Sequence, residues 1–293
     1  MDFAKDWAIL PDEHVEEVIY GQAGGEELRM LVMGPDQSSP NRLSSCLVFV
    51  HGGGFAGGTA ETLLPQCRYF AKRGYVCFSV DYRLMVIGDD GSPAADSVTL
   101  ADCIADCKMA MRYVRRNAKR WKGDPNRIAL IGESAGGYLA GAVTALSHIE
   151  VQDADLSVSC VPNLLVIYNP ITHLTGRWKT RVGLTGQSFP AADPAECWLS
   201  RHRRARLLSP LHHITDRHPA ALVVHGLTDT AVPPEDSVEY IERLRELGVT
   251  AQLELLPDCG HAFALTNYKS SDQAVRHTLE LTAGFLQSQA FDG

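Results

Sequence analysis

The segment Gly132-Glu133-Ser134-Ala135-Gly136-Gly137 follows the apolar run RIALI (127–131) and precedes the helix-like YLAGAVTAL. A serine in a G-x-S-x-G pentapeptide, on a turn between a buried strand and a helix, is the nucleophile elbow; the glycines let strand and helix backbones pass too closely for a Cβ. A serine hydroxyl attacks a carbonyl only when a base removes its proton. With this elbow the acid and the histidine follow in that chain order, each after a later strand. Asp229 lies just past ALVVH, in HGLTDTAVPP, and His261 just past AQLELLP, in DCGHAF. The histidine would shuttle the proton while the carboxylate orients it and stabilises its charged form. Asp258 is local to the histidine loop, and Glu235 and Asp236 fall in the next helix, so these acids fit less well.

A second, independent signal is His51-Gly52-Gly53-Gly54-Phe55, directly after the strand-like CLVFV. Successive glycines leave backbone N–H groups free to point at a developing oxyanion. The expected donors are the amides of Gly53, Gly54 and Ala135, with His51 bracing the loop. A Gly-rich turn after a strand also occurs as a phosphate loop, but no GxxxxGK[ST] spacing is present. No HExxH occurs and the cysteines show no paired metal-ligand spacing, so neither a metal nor a cofactor is expected. Phe55, His173 and Trp178 are candidate substrate contacts. His173 follows the strand LLVIYNP and reads equally as a polar loop residue.

Positioning these groups requires a rigid scaffold. The runs LRMLVM (28–33), CLVFV (46–50), YVCFSV (75–80), RIALI (127–131), LLVIY (164–168), ALVVH (221–225) and AQLELL (251–256) are short and near-continuously apolar. That pattern suits strands covered on both faces. Residues 97–119 read as a helix ending in the basic RRNAKR, and Pro233-Pro234 open another that stops at Gly248. Strand–helix alternation predicts an α/β fold with a mostly parallel, doubly wound sheet flanked by helices. Residues 171–219 break the rhythm and read as a short cap insertion within a single domain, 1–293. The insertion carries eight Lys/Arg against three acids, leaving −13 on the rest of the chain. Usually such a run is a solvated face; a sharper reading is that it steers carboxylate-bearing substrates to the site.

HGGGF, Asp81-Tyr82-Arg83, GDPNRIALIGESAGG (123–137), the Asp229 loop and the His261 loop together resemble the hormone-sensitive-lipase-like branch of the α/β-hydrolases, across roughly residues 40–290. The compact build and SPLHHI (209–214) are similar to small bacterial esterases, including acetyl- and feruloyl-esterase-like enzymes acting on plant polysaccharides. The resemblance implies the α/β-hydrolase fold and cofactor-free hydrolysis of carboxylic esters. A small-molecule or saccharide ester with a short acyl group is expected, because little sequence is available to cover a fatty chain. Amidases, arylformamidases and peptidases use the same triad. A non-catalytic binding protein on this scaffold typically loses the serine or histidine, and both are kept here.

A formal net charge of −8 argues against nucleic-acid binding. No apolar run approaches the ~18 residues of a membrane span. The start, MDFAKDWAIL, has neither a basic n-region nor an apolar h-region. A cytoplasmic location is therefore expected, or a secreted or periplasmic one where a signal peptide has been removed. Most of the eight cysteines read as reduced core residues.

Overall fold

The computed structural model describes residues 14–35, 42–88, 94, 97–151, 154–175, 202–266, 268 and 270–293. Eight strands form one sheet: β1 (Glu16–Ala23), β2 (Glu26–Met33), β3 (Ser44–Val50), β4 (Val76–Val80), β5 (Gly123–Glu133), β6 (Leu164–Tyr168), β7 (Ala220–Gly226) and β8 (Ala251–Leu256). Their spatial order is β1-β2-β4-β3-β5-β6-β7-β8. From β4 to β8 every pairing is parallel, while β1–β2 and β2–β4 are antiparallel. All seven expected apolar runs lie in strands, except that β4 begins at Val76 and leaves Tyr75 outside. β1 was not expected; it is an edge strand of alternating pattern, joined to β2 through Gly24 and Gly25. Both glycines have positive φ (59° and 83°), as a two-residue hairpin turn requires.

Alternation of side chains along each strand sends neighbours to opposite faces, and both faces are packed. Cys46, Val48 and Val50 of β3 face one core with Ile128 and Leu130 of β5. That core is covered by α2 (Leu100–Asn117), α3 (Ala135–Ala145) and α4 (Pro234–Glu246). Leu47, Phe49, Ala129 and Ile131 face the other, under α1 (Leu64–Ala71) and α5 (Asp272–Ser288). The 97–119 helix begins later than expected because Thr99 caps it. Its Oγ1 accepts from the Asp102 amide, and the Asp102 carboxylate accepts from the Thr99 amide.

Most of the expected insertion, 176–201, lies outside the described residues. Its two flanks are tied together: the Leu174 amide donates to Ser209 Oγ (2.8 Å) and the Leu211 amide to the Thr172 carbonyl (3.0 Å). The Tyr138 hydroxyl of α3 holds the second flank through the Leu208 carbonyl (2.6 Å). Among the described residues, no helix is long and apolar enough to cross a membrane, and the seven described cysteines are free.

Candidate active site

Strand β5 runs straight into Ser134, whose backbone (φ 52°, ψ −117°) no ordinary side-chain-bearing residue favours. Such a conformation costs about 1–3 kcal/mol and persists only when its surroundings fix it. Here the Ser134 amide donates to the Tyr168 carbonyl at the end of β6 (2.9 Å), and its carbonyl accepts from the Tyr138 amide (3.0 Å). The glycines explain the tightness of the turn. A Cβ on Gly132 would sit 2.5 Å from the Gly136 carbonyl carbon, and one on Gly136 would sit 2.6 Å from that of Val50. The elbow is therefore wedged against the strand that leads into the HGGG loop.

Ser134 Oγ lies 2.8 Å from His261 Nε2, and His261 Nδ1 lies 2.7 Å from Asp229 Oδ2. The carboxylate assigns the tautomer: Nδ1–H donates to Asp229, leaving Nε2 to accept the serine proton. The loops bearing the acid and the base are pressed together. The Thr228 amide donates to the Cys259 carbonyl (3.1 Å), and a Cβ on Gly226 would sit 2.9 Å from the Gly260 carbonyl oxygen. Asp229 Oδ1 accepts the amides of Ala231 (2.8 Å) and Val232 (2.9 Å). Burial pushes this carboxyl up, but hydrogen bonds from His225, His261 and the Val232 amide outweigh it and hold the acid well below the usual range.

The HGGG loop follows β3, whose Val50 is in register with Gly132 of β5. Gly53 and Gly54 have φ of 110° and 63°, open only to glycine without strain. Ala135 opens α3, where first-turn amides have no partner within the helix. The three expected oxyanion donors thus lie on adjoining turns. His51 braces the loop: its Nδ1–H donates to the Gly52 carbonyl (2.7 Å), its ring stacks on Tyr82 (4.5 Å), and the Tyr82 hydroxyl donates to the His51 carbonyl (3.1 Å). The Asp81-Tyr82-Arg83 segment is itself anchored, with Arg83 making a bidentate pair to buried Asp106 at 2.8 Å on both arms.

The expected substrate contacts fare differently. Phe55 is 1% exposed and stands edge-on to Tyr138 (5.4 Å), so its side chain packs in the core rather than facing a bound molecule. Its positive φ (67°) turns it inward, and its carbonyl accepts from the Met85 amide (2.8 Å). His173 is 8% exposed, with Nε2 3.5 Å from Asp236 Oδ1 and 3.7 Å from Glu239 Oε2. Trp178 lies outside the described residues. Among the described residues, no group of three or more His, Cys, Asp or Glu is arranged to hold a metal ion.

Two features were not anticipated. Glu133, beside the nucleophile, is buried; desolvation raises its pKa, opposed by the Asn169 amide group, which donates to Oε1 at 3.0 Å. His225, the penultimate residue of β7, places Nε2 3.2 Å from Asp229 Oδ2. Its signal in the sequence was the His-Gly pair closing a strand four residues before the acid.

Residues 32–244 match the BD-FAE family. The chain is 28% identical to esterase LipC of Mycobacterium tuberculosis over 261 residues, covering 86% of this chain and 60% of the relative. It is 25% identical to an acetylxylan esterase of Xylanibacter ruminicola over 244 residues, covering 80% of this chain and 45% of that one. The chain thus spans three fifths or less of the length of these curated relatives. Solved structures match along nearly their whole length. Esterase Est2 of Thermogutta terrifontis with propionate bound superposes at a TM-score of 0.79, with 29% identity over 97% of this chain and 96% of that one. The same esterase phosphorylated by paraoxon superposes at 0.79, with 29% identity over 95% of each chain. With an eight-stranded sheet of α/β-hydrolase order and this match across most of its length, the chain belongs to the BD-FAE family.

Proposed function

We propose that the protein is a serine carboxylesterase that hydrolyses short-chain acyl esters of small alcohols or sugars through an acyl-enzyme. The observation that carries this reading is the unbroken contact from Ser134 Oγ through His261 to Asp229, at 2.8 and 2.7 Å. Ser134 Oγ attacks the ester carbonyl carbon while His261 Nε2 takes its proton. The carbonyl oxygen becomes an oxyanion held by the amides of Gly53, Gly54 and Ala135. Asp229 stabilises the imidazolium. The imidazolium then protonates the departing alkoxide, and the alcohol leaves. Water, deprotonated by the same histidine, attacks the acyl-enzyme and releases the acid.

Relatives named as esterases support the reaction class, and Est2 structures with propionate and butyrate support a short acyl group. The acetylxylan esterase supports a sugar as the alcohol. Covalent modification of Est2 by paraoxon supports an activated nucleophile. The test is hydrolysis of p-nitrophenyl acetate, butyrate, octanoate and laurate by the wild type and by Ser134→Ala. Turnover that falls with chain length and drops about 10⁴-fold or more in the variant is expected. Activity surviving in the variant would remove Ser134 from its role, and faster cleavage of laurate would remove the short-chain assignment.

A further inference from the structure

The second imidazole on the acid of the site has a determined hydrogen-bonding state. His225 is completely buried. Its Nε2 faces two groups that can only accept, the Val232 carbonyl at 3.0 Å and Asp229 Oδ2 at 3.2 Å. Its Nδ1 lies 2.6 Å from Ser237 Oγ, in the first turn of α4. A neutral imidazole has one N–H, and two acceptors at Nε2 require it there. Nδ1 therefore takes the Ser237 hydroxyl proton in a hydrogen bond. Asp229 is then surrounded by four N–H groups: the amides of Ala231 and Val232 on Oδ1, His261 on Oδ2, and His225 Nε2–H, which donates to the Val232 carbonyl while lying 3.2 Å from Oδ2.

We infer that His225, oriented by Ser237, is a positioning residue that fixes the Asp229 carboxylate and sets how strongly it attracts the His261 proton. The inference rests on the triad reading above. A donor on Oδ2 draws off part of the negative charge that would otherwise act on the imidazolium of His261. Removing it leaves Asp229 a stronger partner, so His261 holds its proton to higher pH, and the carboxylate also gains freedom to turn. The other ionisable groups around His261 stay constant under this change. They are Glu133 at the end of β5, which senses both His261 and Asp229, and Asp258 and Cys259 on the histidine's own loop. On α4 the group that meets His225 is Ser237, which does not titrate.

The test is the pH dependence of kcat/KM for p-nitrophenyl acetate in the wild type, His225→Leu and His225→Gln, with Asp229→Ala alongside. Leucine removes the donor, whereas the glutamine amide can reach the Nε2 position and restore it. For His225→Leu the acid limb moves up by roughly half to one pH unit. Its kcat falls on the order of tenfold, with KM changed less than about twofold. His225→Gln returns both towards wild type. An acid limb unmoved in folded His225→Leu, or a glutamine variant as impaired as the leucine one, overturns the inference. Should Asp229→Ala retain full activity, the triad reading itself fails, which is a distinguishable result. A measurement without substitutions settles the matter if the variants do not fold: ring-¹⁵N spectra of the wild type at the pH of the assay. A hydrogen of His225 on Nε2, facing the Val232 carbonyl and Asp229, is expected, and one on Nδ1 overturns the inference.

Discussion

Replacing Gly136 by alanine tests whether the elbow and the oxyanion loop form one rigid unit. The added Cβ would lie 2.6 Å from the Val50 carbonyl carbon and 2.5 Å from the His51 carbonyl oxygen, and nearer still to the Val50 oxygen. Carbon contacts relax only beyond about 3.5 Å, so α3 and the end of β3 must separate by about 1 Å. Both sides of the clash are backbone, and no side chain can swing away. The cost falls at the upper end of overpacking, about 3 kcal/mol. The same separation acts on chemistry, because His51 leads into Gly53 and Gly54 while Gly136 adjoins Ala135. Pulling the two sets of amides apart by about 1 Å costs about 10²-fold in kcat. Gly141, one and a half turns along the same helix, is the internal control. A Cβ there meets only ordinary contacts, the nearest being Pro210 Cβ at 3.6 Å. Gly141→Ala gains helix propensity, up to about 1 kcal/mol. Urea denaturation and kcat on p-nitrophenyl acetate report both quantities. A Gly136→Ala protein within about 0.5 kcal/mol and threefold of wild type would refute the reasoning.

Lys108 is 1% exposed and its Nζ donates to the carbonyls of Leu146 (2.7 Å) and Ile149 (2.6 Å), closing the end of α3. Lys108→Met strands those acceptors and is expected to lower unfolding free energy by about 2–4 kcal/mol in urea melts, with kcat little changed. Burial pushes the His218 imidazole down to about 4, against an opposing bond from its ring to the Pro219 carbonyl. The unfolded chain takes up this proton near pH 6.5 and the folded one only near 4. The stability it contributes is therefore complete above 6.5 and lost as pH falls from 6.5 to 4, about 3–4 kcal/mol in all. In melts across that window His218→Gln should flatten the slope, and an unchanged slope would refute this source. Gly284 is an exposed interior position of α5 with nothing within 4 Å of an added Cβ. Gly284→Ala is expected to raise stability by about 0.5–1 kcal/mol in the same melts.

Six of the seven apolar runs were legible because strands covered on both faces cannot hide polar positions, and AQLELL, at the sheet edge and only partly buried, was legible from its apolar residues alone. β1 was not, since Glu16, Glu17, Gly21 and Gln22 interrupt its pattern at the sheet edge, where only β2 pairs with it. That Ser134, Asp229 and His261 meet was legible despite a separation of 127 positions between serine and histidine, because each follows a strand in a fixed order. Contacts set by register were not. Glu133 meets Asn169 because Glu133 pairs with Tyr168 across β5 and β6, a fact local sequence does not carry. His225 reads as the last residues of an apolar strand, and its contact with Asp229 appears only when the loop turns back through the Asp229 amide to the Gly226 carbonyl (3.2 Å). Phe55 misled in the opposite sense: a loop aromatic beside the oxyanion amides turned inward because of its backbone.

Two carboxyls lie buried near one histidine, and what distinguishes them is the number of N–H groups each receives. Asp229 collects two backbone amides and two imidazole hydrogens, and its charge survives burial. Glu133 has one amide hydrogen bond from Asn169, and burial raises its pKa instead. Environments that drive two such groups apart assign the negative charge to one position. That position is 2.7 Å behind Nδ1, on the far side of the ring from Ser134, where in the proposed reaction negative charge facing the imidazole favours proton removal without opposing the oxyanion. In the proposed reaction, a carboxylate charged at Glu133, directly beside Ser134 and the Gly52 backbone, would repel the oxyanion assigned to the neighbouring amides. The glutamate's partial desolvation and the aspartate's dense donor shell therefore act towards the same end. Each donor removed from Asp229 moves the site away from that separation, which is why the contacts of His225 and of the Val232 amide bear on chemistry as well as on folding.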